Sequence, residues 1–199
     1  MTENGWLKMI ENNPGHSTWY IERFRSMAEA GDDLHGEARM IDALISRQAR
    51  VLDAGCGTGR VGGRLAQLGH QVVGVDLDPV LIAEAEGTYP EVTWLVADLA
   101  EFELGSTGTD QQFDCAVSAG NVMTFLDPAT RQDVLTQILA HLAPTGRAVF
   151  GFGAGRGYEF EDFFADCAAV GFREQLRLSS WDLRPFDESS EFLVSVVST

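Results

Sequence analysis

Three alternating glycines directly after an apolar run are the feature of this sequence that points most directly to ligand chemistry. Residues 51–60, with the sequence VLDAGCGTGR, predict a strand, a tight loop and the beginning of a helix. Glycine permits positive φ and lets a ligand approach the backbone closely, and the first turn of a helix offers N–H groups that have no intrahelical acceptor. The segment therefore predicts a loop that binds a ligand through main-chain donors.

The spacing of the glycines is compatible with two cofactors. Residues 57–62 (GTGRVG) satisfy the GxGxxG pattern of dinucleotide-binding proteins, and Asp76 lies at a suitable distance along the chain for a ribose-binding acid. In a dinucleotide fold, however, the first glycine follows the strand directly so that the pyrophosphate reaches the helix N-terminus, whereas Gly57 comes four residues after Asp53. The Asp53 carboxylate would repel a pyrophosphate but could help to hold the ammonium group of an amino acid through the surrounding water and backbone. The pattern therefore favours S-adenosylmethionine (SAM), with an NAD-dependent oxidoreductase as the alternative.

Two further acids end predicted strands. Asp76 closes the apolar run of residues 71–76, where its carboxylate can accept hydrogen bonds from both hydroxyls of a ribose. Each such bond is worth about 1.5–3 kcal/mol because the acceptor is charged; a solvated loop acid is the other interpretation. Asp98 ends the next run, whereas Asp78 precedes Pro79 and is typical of a helix cap.

Short apolar runs and amphipathic stretches alternate around these acids. Near-continuous apolar character predicts strands that are buried on both faces of a parallel sheet, and such runs lie at residues 50–53, 71–76, 92–98, 113–118 and 147–152. The segments between them have helical spacing of their apolar residues, and the last begins after Asp127-Pro128, which predicts an N-cap. The alternation predicts an open α/β sheet with right-handed crossovers.

The segments before and after this alternation differ from it. Two helical pieces, at residues 17–30 and 36–47, precede the first strand and could close as a cap over the carboxyl ends of the strands, where ligands bind in this fold class. A helix near 159–169 is followed by two runs, 172–181 and 191–198, that predict an antiparallel pair. We therefore expect one domain over residues 1–199, with a helical cap at 1–48 and an α/β core at 49–199.

Residues 51–60 resemble the glycine-rich signature of the class I SAM-dependent methyltransferases, and the resemblance extends from about residue 36 to residue 151. It implies a Rossmann-like three-layer α/β sandwich whose seven-stranded, mostly parallel sheet has an antiparallel C-terminal strand. It also implies that the Asp98 carboxylate accepts a hydrogen bond from the adenine amino group and that the Leu99 N–H meets the ring, although Asp98 would look much the same as a helix cap.

The residues after the fourth strand bear on the methyl acceptor. Family members that methylate nucleobase amines carry an Asn/Asp-Pro-Pro-aromatic motif here, whereas this chain has Ser118, Ala119, Gly120 and Asn121. These small residues leave room for the methionine part of SAM, and the Gly120-Asn121 pair resembles small-molecule methyltransferases. We therefore expect a methyltransferase that acts on a small molecule; a SAM-binding sensor or partner without transfer activity is a further alternative.

Candidate general bases are scarce, and no catalytic residue is assigned. Methyl transfer from a sulfonium requires alignment above all, and a base only where the nucleophile must lose a proton. His70 and His141 are expected to be structural. His16 and His35, which flank the first long helical piece, could reach the strand ends, although simple exposure to solvent is the favoured expectation. Two arginines, Arg39 and Arg60, could neutralise a carboxylate of SAM or of the acceptor, or could form ordinary surface pairs.

The predicted site contains no metal and has two parts. The cofactor part consists of Asp53, Ala54, Gly55, Cys56, Gly57, Thr58, Gly59, Asp76, Leu77, Asp98, Leu99, Ser118, Ala119 and Gly120. The acceptor part consists of Trp19, Tyr20 and Asn121, although packing of the helix that carries the two aromatic rings against the sheet is the favoured expectation for them.

Composition limits the partners and the compartment. Thirty acidic and 14 basic residues give a formal charge of −16, so nucleic acid and anionic membranes are disfavoured partners. Three widely spaced cysteines favour reduced thiols, and the first five residues show no secretion signal, so we expect a cytoplasmic protein. The sequence does not distinguish a monomer from a homodimer.

Overall fold

The computed structural model describes residues 4–104 and 112–199. Its strands are β1 (Arg50–Ala54), β2 (Gln71–Asp76), β3 (Thr93–Val96), β4 (Phe113–Ser118), β5 (Leu142–Gly153), β6 (Arg173–Leu178) and β7 (Phe192–Ser198). Its α-helices are α1 (Gly5–Asn12), α2 (His16–Glu29), α3 (Gly36–Leu44), α4 (Arg60–Gln67), α5 (Pro79–Thr88), α6 (Val122–Phe125), α7 (Arg131–His141) and α8 (Phe160–Val170).

The seven strands form one sheet in the order β3-β2-β1-β4-β5-β7-β6. The first five strands of this order run parallel, and β7 runs antiparallel to both β5 and β6. The Rossmann-like fold with an antiparallel C-terminal strand is therefore confirmed. Parallel pairing of β1, β2, β3 and β4 brings their carboxyl ends to one edge of the sheet.

The sheet is covered on both faces because alternate residues of each strand point to opposite sides. Leu52 of β1 packs into one core cluster with Ile138 of α7 and Phe163 of α8. Its neighbour Val51 packs into a second cluster with Ile41 of α3 and Leu65 of α4. The three layers of the expected sandwich follow from this alternation.

Three element boundaries differ from the sequence expectations. The fifth strand begins at Leu142, five residues earlier than expected, because Leu142 already pairs with Phe113 and the register then shifts before Cys115. The third strand is shorter, Thr93–Val96. Asp127 caps a 3₁₀ turn at Pro128–Thr130, so that α7 itself begins only at Arg131.

Helix α1 was not expected at all. Its signal is short: the Asn4 side chain accepts hydrogen bonds from the N–H groups of Trp6 and Leu7, at 3.0 and 3.2 Å, and so caps the helix. Trp6 is the buried residue of this helix, and an eight-residue segment with one buried side chain gives little periodicity to detect.

A buried carboxylate attaches α1 and α2 to the core. Asp78, which is 1% exposed, accepts hydrogen bonds from Trp6 Nε1 at 2.9 Å and from Ser17 Oγ at 2.5 Å. It also caps α5 through the Val80 N–H, as the sequence predicts. The second predicted cap helix, α3, instead contributes Ile41 and its neighbours to the core.

Within residues 4–104 and 112–199, no helix has the length and apolar character needed to cross a membrane. The three cysteines in these ranges are free thiols and are buried.

Candidate functional site

A cavity of about 470 Å³ lies between the carboxyl ends of the strands and the helices α1 and α2. Eight residues of the predicted cofactor part line it: Gly55, Gly57, Asp76, Leu77, Asp98, Leu99, Ala119 and Gly120. All three residues of the predicted acceptor part, Trp19, Tyr20 and Asn121, line it as well. Residues as far apart in the sequence as Trp19 and Asn121 are therefore brought together at one edge of the sheet.

The other six predicted cofactor residues do not line this cavity; they lie in the parts of the structure that surround it. Ala54 and Cys56 are buried in the core, and the Ser118 hydroxyl is buried with no hydrogen-bond partner in the described part of the chain. Gly59 has φ +75° and lies under Trp94, where a Cβ would come within 2.7 Å of the ring. Thr58 lines a second cavity, of about 450 Å³, behind the loop.

Asp53 is the sixth, and it faces α4. Its carboxylate is 2% exposed and accepts a hydrogen bond from the Gly62 N–H at 2.7 Å. Any effect of Asp53 on a ligand must therefore pass through the position of α4 and the loop before it.

Two glycines leave open space on the cavity floor. Gly57 and Gly120 have φ of +53° and +70°, which favour glycine. A Cβ on Gly57 would meet only the Tyr20 ring, at 3.8 Å, and one on Gly120 only the Tyr20 hydroxyl, at 4.0 Å. Tyr20 therefore forms the roof above both glycines, and burial raises the pKa of its phenol, so the hydroxyl keeps its proton and can donate a hydrogen bond.

Asp76 links the glycine loop to β2. One carboxylate oxygen accepts the Gly57 N–H at 2.8 Å and the other accepts the Asp78 N–H at 2.9 Å. Burial raises the pKa of Asp76, while these two backbone donors oppose the rise. The carboxylate is thus held rigidly in the cavity wall and keeps lone pairs for a ligand's hydroxyl groups.

Asp98 has the hydrogen bond of a cap and also lies in the lining of the cavity. Its Oδ1 accepts the Ala100 N–H at 2.9 Å, as a cap would, and the residue also lines the cavity beside the buried Leu99.

The roof of the cavity is aromatic. Trp6 packs edge-on against both Tyr20 and His16, with ring centroids 5.3 and 4.9 Å apart, and His16 stacks on Trp19 at 5.3 Å. Trp19 is 50% exposed and lies at the rim. His16 is half-buried in the cavity wall, which agrees with the alternative that it reaches the strand ends and not with the favoured expectation of full exposure. Its contacts with two indoles, one of them hydrogen-bonded to Asp78, could not be inferred from sequence.

The other histidines lie away from this cavity. His70 is within 2.9 Å of the Asp42 carboxylate, and His141 stacks on Phe102 with centroids 4.4 Å apart, so both are structural as expected. His35 is half-buried beside the second cavity, and its Nδ1 has no partner in the described part of the chain.

The arginines singled out in the sequence are already paired. Arg60 forms a two-pronged contact with Glu37, at 2.8 and 2.6 Å, and also donates to the Leu34 carbonyl. Arg39 pairs with Asp33 at 2.6 Å. Neither arginine lines the main cavity. The partner of Arg39 is close to it in sequence, and Arg60, which begins α4, pairs with an acid of α3.

Two other arginines, Arg23 and Arg156, line the cavity and were missed. Sequence signals existed for both. Arg23 is one helical turn after Tyr20, on the same face of α2, and Arg156 follows the carboxyl end of β5, where ligands bind in this fold class.

A search of residues 4–104 and 112–199 finds no cluster of three or more His, Cys, Asp or Glu side chains that could hold a metal ion.

Comparisons with known proteins agree with this geometry. The model of a family described as "Methyltransferase domain" matches residues 51–146. A TehB-like SAM-dependent methyltransferase from Corynebacterium glutamicum, known from a crystal structure, is 49% identical over 94% of this chain and 100% of its own, with a TM-score of 0.89.

Curated relatives differ in what their names say they methylate. A magnesium-protoporphyrin O-methyltransferase from Rhodobacter capsulatus is 37% identical over 51% of this chain and 43% of its own length. An 18S rRNA (guanine-N(7))-methyltransferase from Bos taurus is 26% identical over 68% of this chain and 55% of its own length. The chain thus spans about half the length of the curated relatives it matches.

Proposed function

The chain belongs to the class I SAM-dependent methyltransferases, and from this premise we propose that it transfers the methyl group of SAM to a small-molecule acceptor. The observation that carries the proposal is the cavity of about 470 Å³, roofed by α1 and α2, which continues from the glycine loop to the ends of β4 and β5. Its size is at the small end of the range for ligand sites, so a cofactor and a small acceptor would fill it.

The residues of the cavity fit SAM. Asp76 offers charged lone pairs to the ribose hydroxyls, Asp98 and Leu99 border the space for the adenine, and Gly57 and Gly120 leave room for the methionine part under Tyr20. SAM supplies a methyl carbon that is already activated by its sulfonium. The comparisons give no support to the NAD alternative.

The contribution of the chain would be alignment and exclusion of water. Fixed geometry between two reactants can supply roughly 7–11 kcal/mol in well-ordered systems. The rigid Asp76 contacts and the aromatic roof provide such geometry, because the roof is anchored by Asp78 through Trp6 and Ser17. We propose no general base.

A small acceptor is also supported by charge. A chain with a formal charge of −16 repels a phosphate backbone, so we propose that neither RNA nor an anionic membrane is the partner. The buried, unpaired cysteines support a reducing compartment, and we propose that the protein acts in the cytoplasm.

Calorimetry with SAM, its demethylated product S-adenosylhomocysteine (SAH) and NAD tests the cofactor. We expect SAM and SAH to bind in the micromolar range and NAD not to bind. Asp76→Asn should weaken SAM binding about 30- to 150-fold, because two hydrogen bonds to a charged acceptor become neutral ones and each loses about 1–1.5 kcal/mol. Asp162→Asn, an exposed acid on α8, is the matched control.

Binding of NAD without SAM would contradict the proposed cofactor. Binding of SAM without turnover on a panel of small acceptors would favour the sensor alternative, and turnover on RNA would contradict the small-molecule acceptor.

A further inference from the structure

Four charged side chains line the cavity: the arginines Arg23 and Arg156 and the acids Asp76 and Asp98. Six arginines elsewhere in the described chain pair with a carboxylate at 2.6–3.1 Å: Arg25, Arg39, Arg47, Arg60, Arg177 and Arg184. The two arginines of the cavity, Arg23 and Arg156, have no such partner within residues 4–104 and 112–199. Both arginines are exposed, and five arginines outside the cavity also have no ion pair in the described chain: Arg50, Arg64, Arg131, Arg147 and Arg173. What distinguishes Arg23 and Arg156 is that they line the cavity, where a bound anion can pair with them.

The two arginines lie in different parts of the cavity. Arg23 is held on α2 by its contacts with aromatic rings: its guanidinium carbon is 5.8 Å from the Trp19 ring centroid and 5.9 Å from that of Phe24. It is one turn beyond Tyr20, which covers Gly57. Arg23 is thus on the side of the glycine loop, where the methionine carboxylate of SAM belongs.

Arg156 lines the cavity near the carboxyl end of β5. It follows β5, and a Cβ on Gly153 would be 3.1 Å from its Nε and 3.5 Å from Asn121 Oδ1. Asn121 Oδ1 in turn accepts the Gly153 N–H at 2.8 Å and ties the ends of β4 and β5 together. In the strand order β3-β2-β1-β4-β5, Arg156 is therefore four strands away from Asp98, which follows β3.

This order leaves the end near β5 for the acceptor. The predicted adenine and ribose contacts follow β3 and β2, and those of the methionine part follow β1 and the end of β4, so the cofactor occupies that part of the cavity. Arg156 and Asn121 border the remainder.

We propose that the methyl acceptor is an organic carboxylate, whose carboxylate is bound by Arg156 and whose apolar body packs against apolar residues that line the cavity. The inference rests on the proposed function and adds the chemical class of the acceptor. A guanidinium matches the geometry of a carboxylate with two parallel hydrogen bonds.

Charge favours an anion over an amine at this position. The sulfonium, Arg23 and Arg156 all carry positive charge, so a cationic acceptor would be repelled and an anionic one attracted. The two acids that line the cavity, Asp76 and Asp98, follow β2 and β3 and so lie toward the other end of the strand order from Arg156, which follows β5.

The test uses the full chain saturated with SAH and four probes: benzoate, benzamide, benzylamine and inorganic phosphate. We expect benzoate to bind at least ten times more tightly than each of the other three. Arg156→Ala should weaken benzoate binding at least tenfold, and Arg156→Lys should restore part of it. Arg173→Ala removes the same charge from an exposed position on β6 and should leave benzoate binding unchanged.

Several results would overturn the inference: no binding of benzoate, equal binding to wild type and Arg156→Ala, tighter binding of benzylamine, or phosphate binding as tightly as benzoate. The last would show that the apolar body contributes nothing. SAH is titrated into the wild type and into every variant. If the wild type does not bind SAH, the proposed function fails. If the wild type binds SAH but not benzoate, this inference alone fails.

Discussion

Asp53 should make the stability of the protein fall as pH rises through the weakly acidic range. Its carboxyl group is 2% exposed, and burial raises its pKa from 3.8 to about 7, against the opposing effect of the Gly62 N–H. The folded protein therefore retains a proton on Asp53 that the unfolded chain has released. The contribution of this proton to the free energy of unfolding is fully present below pH 3.8 and is lost as pH rises toward 7.

The size of the effect follows from the two pKa values. The interval between 3.8 and about 7, at 1.36 kcal/mol for each pH unit, corresponds to about 4 kcal/mol. This is a large part of the 5–15 kcal/mol that typically stabilises a domain. Asp53→Asn removes the titration and keeps an oxygen that can accept the Gly62 N–H.

Urea unfolding followed by tryptophan fluorescence, at half-unit steps of pH from 4.5 to 8, measures the effect. The free energy of unfolding of Asp53→Asn, minus that of the wild type, should rise by about 3 kcal/mol across this range, because all other titrating groups are common to both proteins. Asp162→Asn should give a flat difference. A flat difference for Asp53→Asn, or one that falls with pH, would refute the argument that burial holds this carboxyl group neutral.

Two further predictions concern packing and the roof. Gly63→Ala should lower stability by about 1–3 kcal/mol, because its Cβ would come within 2.4 Å of the Tyr89 ring; Gly87→Ala, in open space on α5, should raise it by about 0.5–1 kcal/mol. Thermal melts of the two variants check both signs, and equal shifts would contradict the packing argument. Trp6→Phe removes one donor from the buried Asp78 and should cost about 1–3 kcal/mol. Stopped-flow measurement should also show several-fold faster SAH release, and an unchanged release rate would show that this bond does not hold the roof closed.

Local sequence was sufficient for the strands of the sheet's centre. The runs at residues 71–76 and 113–118 coincide with β2 and β4, since both are apolar segments with clear polar or glycine boundaries. The fold class followed from their alternation with helices. The convergence of Asp76 and Asp98 on one edge then followed from parallel pairing alone, whereas their roles toward a ligand stay predictions.

The roof was not predictable in the same way. Which face of α2 turns toward the cavity depends on contacts between residues far apart in sequence, such as Ser17 with Asp78. The cavity positions of His16, Arg23 and Arg156 are consequences of that docking and of the loop after β5. Helical periodicity identifies a surface but not the element against which it packs.

The position of β7 between β5 and β6 has a consequence for how the chain folds as it is synthesised. Residues 173–178 leave the ribosome before residues 192–198, yet β6 pairs in the sheet only with β7. Until β7 arrives, β5 presents an unpaired edge with the largely apolar sequence of residues 147–153, the kind of edge on which nascent chains aggregate. β7, which is made after β6, is therefore the strand that joins β6 to the rest of the sheet, and truncation before residue 192 would leave the edge of β5 open.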